Sequence, residues 1–144
     1  MITLGDLWDS IFTLELKDTH CKNPANLASI IININTTLGE IKELEEKWSK
    51  DPKRYVGCMK FKIYKSEVRP EKEHNYDDAK YQLQKIVKEL WNVQEFINLD
   101  EWKEASREEL RDYIENLHRL NMRRNFYIDM VNQLYLEKAI ENNS

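Results

Sequence analysis

Arg124 and Asn121 stand where a helix seam would be expected to carry leucine. Leu110, Ile114, Leu117, Asn121, Arg124, Ile128, Val131 and Tyr135 are spaced by alternating gaps of four and three. At 3.6 residues per turn all eight share one face, and six of them are apolar or aromatic. A guanidinium withdrawn from water into such a face is costly unless an anion pairs with it. Its planar fork suits a carboxylate or a phosphate, and an asparagine beside it can satisfy the remaining lone pairs. Glu15 and Glu95 lie next to apolar seams elsewhere in the chain and are the protein anions expected to meet Arg124. Three outcomes follow: a polar layer that fixes helix register, a pocket in which Arg124 meets a ligand anion, or a side chain that snorkels to water.

Other chemistry-bearing groups are sparse. Cys21 and Cys58 form no CxxC pattern, and His20, His74 and His118 show no zinc spacing. There is no glycine-rich phosphate loop and no GxSxG. His118 beside the last seam reads as a packed residue. Residues 47–75 hold nine Lys/Arg against four Asp/Glu, a net of +5, whereas the whole chain carries −4 and the remainder therefore −9. Tyr55, Phe61 and Tyr64 within that basic stretch could stack on bases. Lysines on a solvated edge strand explain it more simply.

Several elements must position these groups. The chain has 144 residues, 41% apolar and 33% charged, with 3 Gly and 3 Pro. That composition favours one folded domain of long helices. Thr3 and Asp6 approximate a capping box for a helix over 4–20, in which Leu4, Leu7, Ile11 and Leu14 form a stripe. Asn23 and Pro24 open a second helix over 24–49, with a seam of Leu27, Ile31, Ile34, Leu38, Ile41, Leu44 and Trp48. Residues 50–76 form an insert. In it Met59, Phe61 and Ile63 alternate with Lys60, Lys62 and Tyr64, a period that predicts a short β-like strand or hairpin. A third helix spans 77–98, with Leu83, Val87, Leu90 and Ile97 inward. Ser106 and Glu109 cap a fourth over 107–140. The expected fold is all-α, an antiparallel four-helix bundle with the basic insert between helices 2 and 3. Wide apolar seams of this kind often self-associate, so a homodimer is expected. The absence of a long apolar run and of a signal-like start predicts a soluble, cytoplasmic protein away from membranes.

Three ordered stretches carry a family resemblance. Gly5, Asp6, Leu7, Asp9, Ile11, Leu14, Glu15 and Lys17 come first, then Leu90, Trp91, Glu95 and Ile97, then Asn121, Arg124, Asn132 and Leu134. Together they resemble a domain-of-unknown-function family of short helical bacterial and phage proteins. The likeness covers both ends of the chain and the third helix but not residues 50–75. Gln94 replaces an acid of that pattern, and Met130 an isoleucine. The resemblance implies a helical fold and no particular activity. It singles out the same Glu15, Trp91, Glu95, Asn121 and Arg124 as the seams do, and with the matched Lys17 these are the candidate ligand-binding residues.

Three functions fit. The first is a non-enzymatic binding module holding a small anionic, nucleotide-like ligand at the polar layer, with no cofactor. The second is a protein-interaction module using the basic insert around Lys60 and Lys62. The third is a magnesium-dependent nucleotide pyrophosphohydrolase. Helical enzymes of that type carry ExxE on one helix and ExxD on another. Glu40 and Glu43 supply ExxE, but Glu89 with Asn92 and Glu95 with Asn98 give only ExxN, one charge fewer.

Overall fold

The capping residues place the helix starts. A computed structural model describes residues 1–59 and 75–143. Helix α1 is Leu4–His20. The Asp6 amide donates to Thr3 Oγ1 at 3.2 Å, and the Thr3 amide donates to Asp6 Oδ2 at 3.0 Å. Helix α2 is Pro24–Lys50, with Asn23 Oδ1 accepting from the Ala25 amide at 3.0 Å and Pro24 in the first turn. Helix α3 is Pro52–Cys58. Helix α4 is Tyr76–Asn98, capped by Asn75, whose Oδ1 accepts from the Asp78 amide at 2.9 Å. A left-handed Asp100, φ 59°, turns the chain into a 3₁₀ turn at Glu101–Glu104. Helix α5 is Arg107–Asn142, with Ser106 Oγ accepting from the Glu109 amide at 3.1 Å.

The protein is therefore all-α among the described residues, with five α-helices and no strand. Part of the expected insert is corrected: Pro52–Cys58 is a helix, because Pro52 suits a first turn as Pro24 does. The period-two stretch from Lys60 to Tyr64 lies outside the described residues.

Helix α1 packs against α2, α4 and α5 at once, and α4 packs along α5. Leu4, Leu7, Ile11 and Phe12 meet Leu83, Ile86, Val87 and Leu90 of α4 and Leu120, Tyr127, Val131 and Leu136 of α5 in one core. The α2 seam is only half used. Ile41 and Trp48 are buried, whereas Ile31 is 46% and Leu38 42% exposed. On α5 the buried stripe is also offset from the expected one. Leu120 and Tyr127 are buried, while Ile114 is 64% exposed and Asn121 is exposed. Apolar residues at neighbouring positions 113–114, 117, 120, 127–128 and 131 allow two stripes about one residue apart, and the partner helices select between them. Both stripes pass through Leu117, Arg124 and Val131.

A polar chain closes one side of the core. Trp8 Nε1 donates to Tyr76 Oη at 2.6 Å, and Tyr76 Oη donates to Glu45 Oε2 at 3.1 Å. Tyr135 Oη donates to the Glu45 carbonyl at 2.7 Å. Burial pushes the Tyr76 hydroxyl well above its ordinary pKa, opposed by the Trp8 hydrogen bond, so it stays protonated and keeps donating. Lys80 Nζ lies 4.5 Å from the centroids of both the Trp8 and Tyr76 rings and 3.0 Å from Asp77. Tyr76→Phe is expected to lower stability by about 1–2 kcal/mol, because it strands both the indole N–H and a Glu45 oxygen. A urea midpoint equal to that of the wild type would show that water replaces the phenol.

Candidate functional site

Two polar contacts tie α1 to α5. The Gly5 amide is a first-turn donor with no partner inside its own helix, and it donates to Asn132 Oδ1 at 2.7 Å. Asn132 is 3% exposed. One turn further along α1, Asp9 faces Arg124. Arg124 Nε donates to Asp9 Oδ1 at 2.7 Å, and Nη2 donates to Asp9 Oδ2. The pair is bidentate, the geometry in which a guanidinium binds a carboxylate most strongly. Asp9 is buried at 8% exposure, while the Arg124 side chain keeps 38% of its surface. The Asp9 hydrogen bond raises the Arg124 pKa above its ordinary value against the opposing effect of burial, and the carboxylate charge adds to the rise. The cation is thus permanent, and the pair is fixed at its Asp9 end and open at its Arg124 end.

A groove of about 480 Å³ opens beside this pair, between α1 and α2. Its walls are polar. Ser10 and Thr13 come from α1, and Asn33, Thr36 and Thr37 from α2. Lys17 and Glu40 also line it, with Asp9 and Arg124. The Thr13 hydroxyl donates to the Asp9 carbonyl at 3.0 Å, which leaves its lone pairs to accept. Lys17 is eight residues from Asp9 along α1, about 12 Å of helix. The groove therefore carries Lys17 toward one end and the Asp9–Arg124 pair toward the other, with Glu40 on the α2 wall.

The remaining candidates do not converge on it. Arg124 pairs with Asp9 and not with Glu15 or Glu95, a correction to the sequence expectation. Glu15 Oε2 instead accepts from Gln84 Nε2 at 3.4 Å and lines a separate groove of about 620 Å³ between α1 and α4. Glu95 Oε1 accepts from Trp91 Nε1 at 3.2 Å, one turn away on the same helix. The Trp91 ring stacks on His20 with centroids 5.3 Å apart. Trp91 and Lys17 share a third groove of about 480 Å³ at the α1–α2 turn. Asn121 is exposed and does not complete an arginine layer. Of the six candidates, only Arg124 and Lys17 line the α1–α2 groove. Glu40 lies there too, but Glu95 is bonded elsewhere. Among the described residues no group of three or more His, Cys, Asp or Glu side chains could hold a metal ion.

Asp9 and Asn132 are the residues that the seam pattern does not single out. Asp9 flanks the Leu4–Leu7–Ile11 stripe rather than interrupting it. Their signal is the spacing: Gly5 and Asp9 are four apart, Arg124 and Asn132 eight apart, so each pair repeats on one helix face. Comparison with protein-family models, curated proteins and solved structures finds no match. No helix among the described residues is long and apolar enough to cross a membrane.

Proposed function

We propose that this chain is a non-enzymatic binding module, a four-helix bundle that holds a small anionic, nucleotide-like ligand in the groove between α1 and α2. The observation that carries the reading is the polar groove beside a half-exposed, permanently charged arginine. Arg124 keeps Nη1 outside its pair with Asp9, and Lys17 supplies a cation with no carboxylate salt bridge among the described residues. An acidic ligand group would sit toward Lys17, and an acceptor at the other end of the groove would meet Arg124 Nη1. Hydroxyl or amino groups would face Glu40 and the Ser10, Thr36 and Thr37 hydroxyls. The groove also contains two carboxylates, which argues for a ligand with donors as well as a negative charge rather than for a bare anion.

Calorimetric titration with adenosine monophosphate, adenosine triphosphate and inorganic phosphate tests this reading. A nucleotide is expected to bind more tightly than inorganic phosphate. Lys17→Glu is expected to weaken that binding at least about tenfold, because a charge-assisted hydrogen bond becomes a repulsion. Lys17 is exposed, so the variant should melt as the wild type does. Absence of heat with every probe at millimolar concentration would remove the reading.

A further inference from the structure

The outer face of α2 is apolar and uncovered by the described residues. Ile32 is 63% exposed, Ile31 46% and Leu38 42%, and Ala28, Asn35 and Gly39 share that face. Gly39 is the informative residue. A Cβ at Gly39 would meet nothing within 4 Å, and no described glycine has a positive φ. The fold of the described residues therefore uses neither the small size of Gly39 nor its backbone freedom, although glycine disfavours a helix interior. Gly5, by contrast, lies where a Cβ would collide with α5.

We infer that this face binds a second copy of the chain, with the two α2 helices antiparallel across a twofold axis at Asn35. The residue pattern is self-complementary about that point. Ile31, four residues before Asn35, meets the partner's Gly39, four residues after it. Ile32, three before, meets the partner's Leu38, three after. Positions three, four and seven away share a helix face, so all of these contacts form together. Each pair occurs twice, as a twofold interface requires. Gly39 then has a role, because the missing Cβ lets the partner's Ile31 approach the α2 backbone. Asn35 meets its own copy, where each amide can donate to the other's carbonyl and fix the alignment, as a buried asparagine does in a coiled coil.

Charge supports the same alignment. The first turn of α2 has no acidic residue of its own, although a helix N-terminus favours one. In this pairing the partner's exposed Glu46 lies opposite Pro24, in that first turn. The opposite alignment, parallel α2 helices, brings the two N-termini together and places Gly39 against Gly39, leaving a void where the antiparallel pair is filled. Asn33, Thr37 and Glu40 project from the other side of α2, so the ligand groove stays open in the dimer.

The contact is short, about 21 Å of helix between Ala28 and Lys42. It belongs with weak, concentration-dependent interfaces. Sedimentation velocity from about 1 µM to about 1 mM, which brackets such an affinity, is expected to show a monomer converting to a dimer. Ile32→Glu and Gly39→Leu should each remain monomeric over that range with an unchanged circular dichroism spectrum. Gly39→Leu removes a helix-weakening residue, so a loss of dimer in that variant cannot come from unfolding. A third variant, Asn35→Cys in a Cys21→Ser, Cys58→Ser background, is expected to form a disulfide-linked dimer on oxidation, since a residue on the axis faces its own copy. Ser29→Cys in the same background, off that face, should not. A wild type that stays monomeric throughout, a dimer that survives both surface variants, or equal cross-linking at positions 35 and 29 would each overturn the assignment.

Discussion

Gly5→Ala is expected to cost about 3 kcal/mol, roughly 10 °C in melting temperature for a chain of this size. The added Cβ would lie 2.2 Å from the Ile128 carbonyl oxygen, 2.8 Å from its Cγ2 and 2.9 Å from its carbonyl carbon. Two of those atoms are backbone inside α5, so they cannot rotate aside as a flexible side chain would. The helices must separate. The Gly5 amide then withdraws from Asn132, whose buried carboxamide loses its partner. Urea denaturation of the variant measures the loss, and a cost below about 1 kcal/mol would mean that α1 slides past Ile128 without strain. Gly39→Ala is the control. With open space around its Cβ, it should stabilise dilute protein by about 0.5–1 kcal/mol.

The Asp9–Arg124 pair should respond unequally to loss of its two members. Arg124→Met strands a carboxylate whose side chain is 11% exposed. Breaking a fully buried pair costs about 3–5 kcal/mol. Arg124 keeps 38% of its side-chain surface, so solvent already screens the interaction and about 2–3 kcal/mol is expected here. Asp9→Asn leaves a guanidinium that can turn to water, and should cost about 1 kcal/mol. Arg124→Met combined with Asp9→Leu, which removes both charges, should recover most of the loss. Equilibrium unfolding of the three variants checks the order. Asp9→Asn proving as damaging as Arg124→Met would show that the pair acts chiefly through the arginine.

Local signals were legible in the sequence where chemistry and position coincide within a few residues. Thr3 with Asp6, Asn23 with Pro24, and Ser106 with Glu109 each satisfy amides next to them, so the starts of α1, α2 and α5 could be read directly. Asn75 caps α4 by the same mechanism, but it closes a stretch whose pattern predicts an insert, and the acidic Asp77 and Asp78 are the stronger local signal for a helix start. Arg124 was legible as a seam residue needing an anion. Its partner was not. Glu15, Glu95 and Asp9 are all carboxylates near apolar stripes, and only the crossing of α1 over α5 chooses among them. Gly5 permits the close approach of α1 to Ile128 at that crossing, and its contribution is a side chain it lacks. Asn121 is exposed for a related reason: two overlapping stripes on α5 are equally good as patterns, and packing against α1 and α4 buries the one through Leu120 and Tyr127. The apolar seam of α2 is plain in the sequence, but only part of it is buried. Periodicity cannot state whether a stripe is covered by the same chain.

Asp9 and Arg124 are separated by 115 residues in sequence. A ribosome adding roughly 5–20 residues per second takes about 6 to 23 seconds to cover that interval. For that time α1 exists without the helix that covers it, with Asp9 unpaired and the Gly5 amide unsatisfied. The α1–α2 hairpin, local in sequence, can close at once. The core cannot, and Leu4, Leu7 and Ile11 stay without their α5 neighbours until residues 120–136 emerge. The apolar face of α1 is therefore exposed for most of synthesis, and a slow codon run before position 120 would prolong that exposure without altering one residue of the protein.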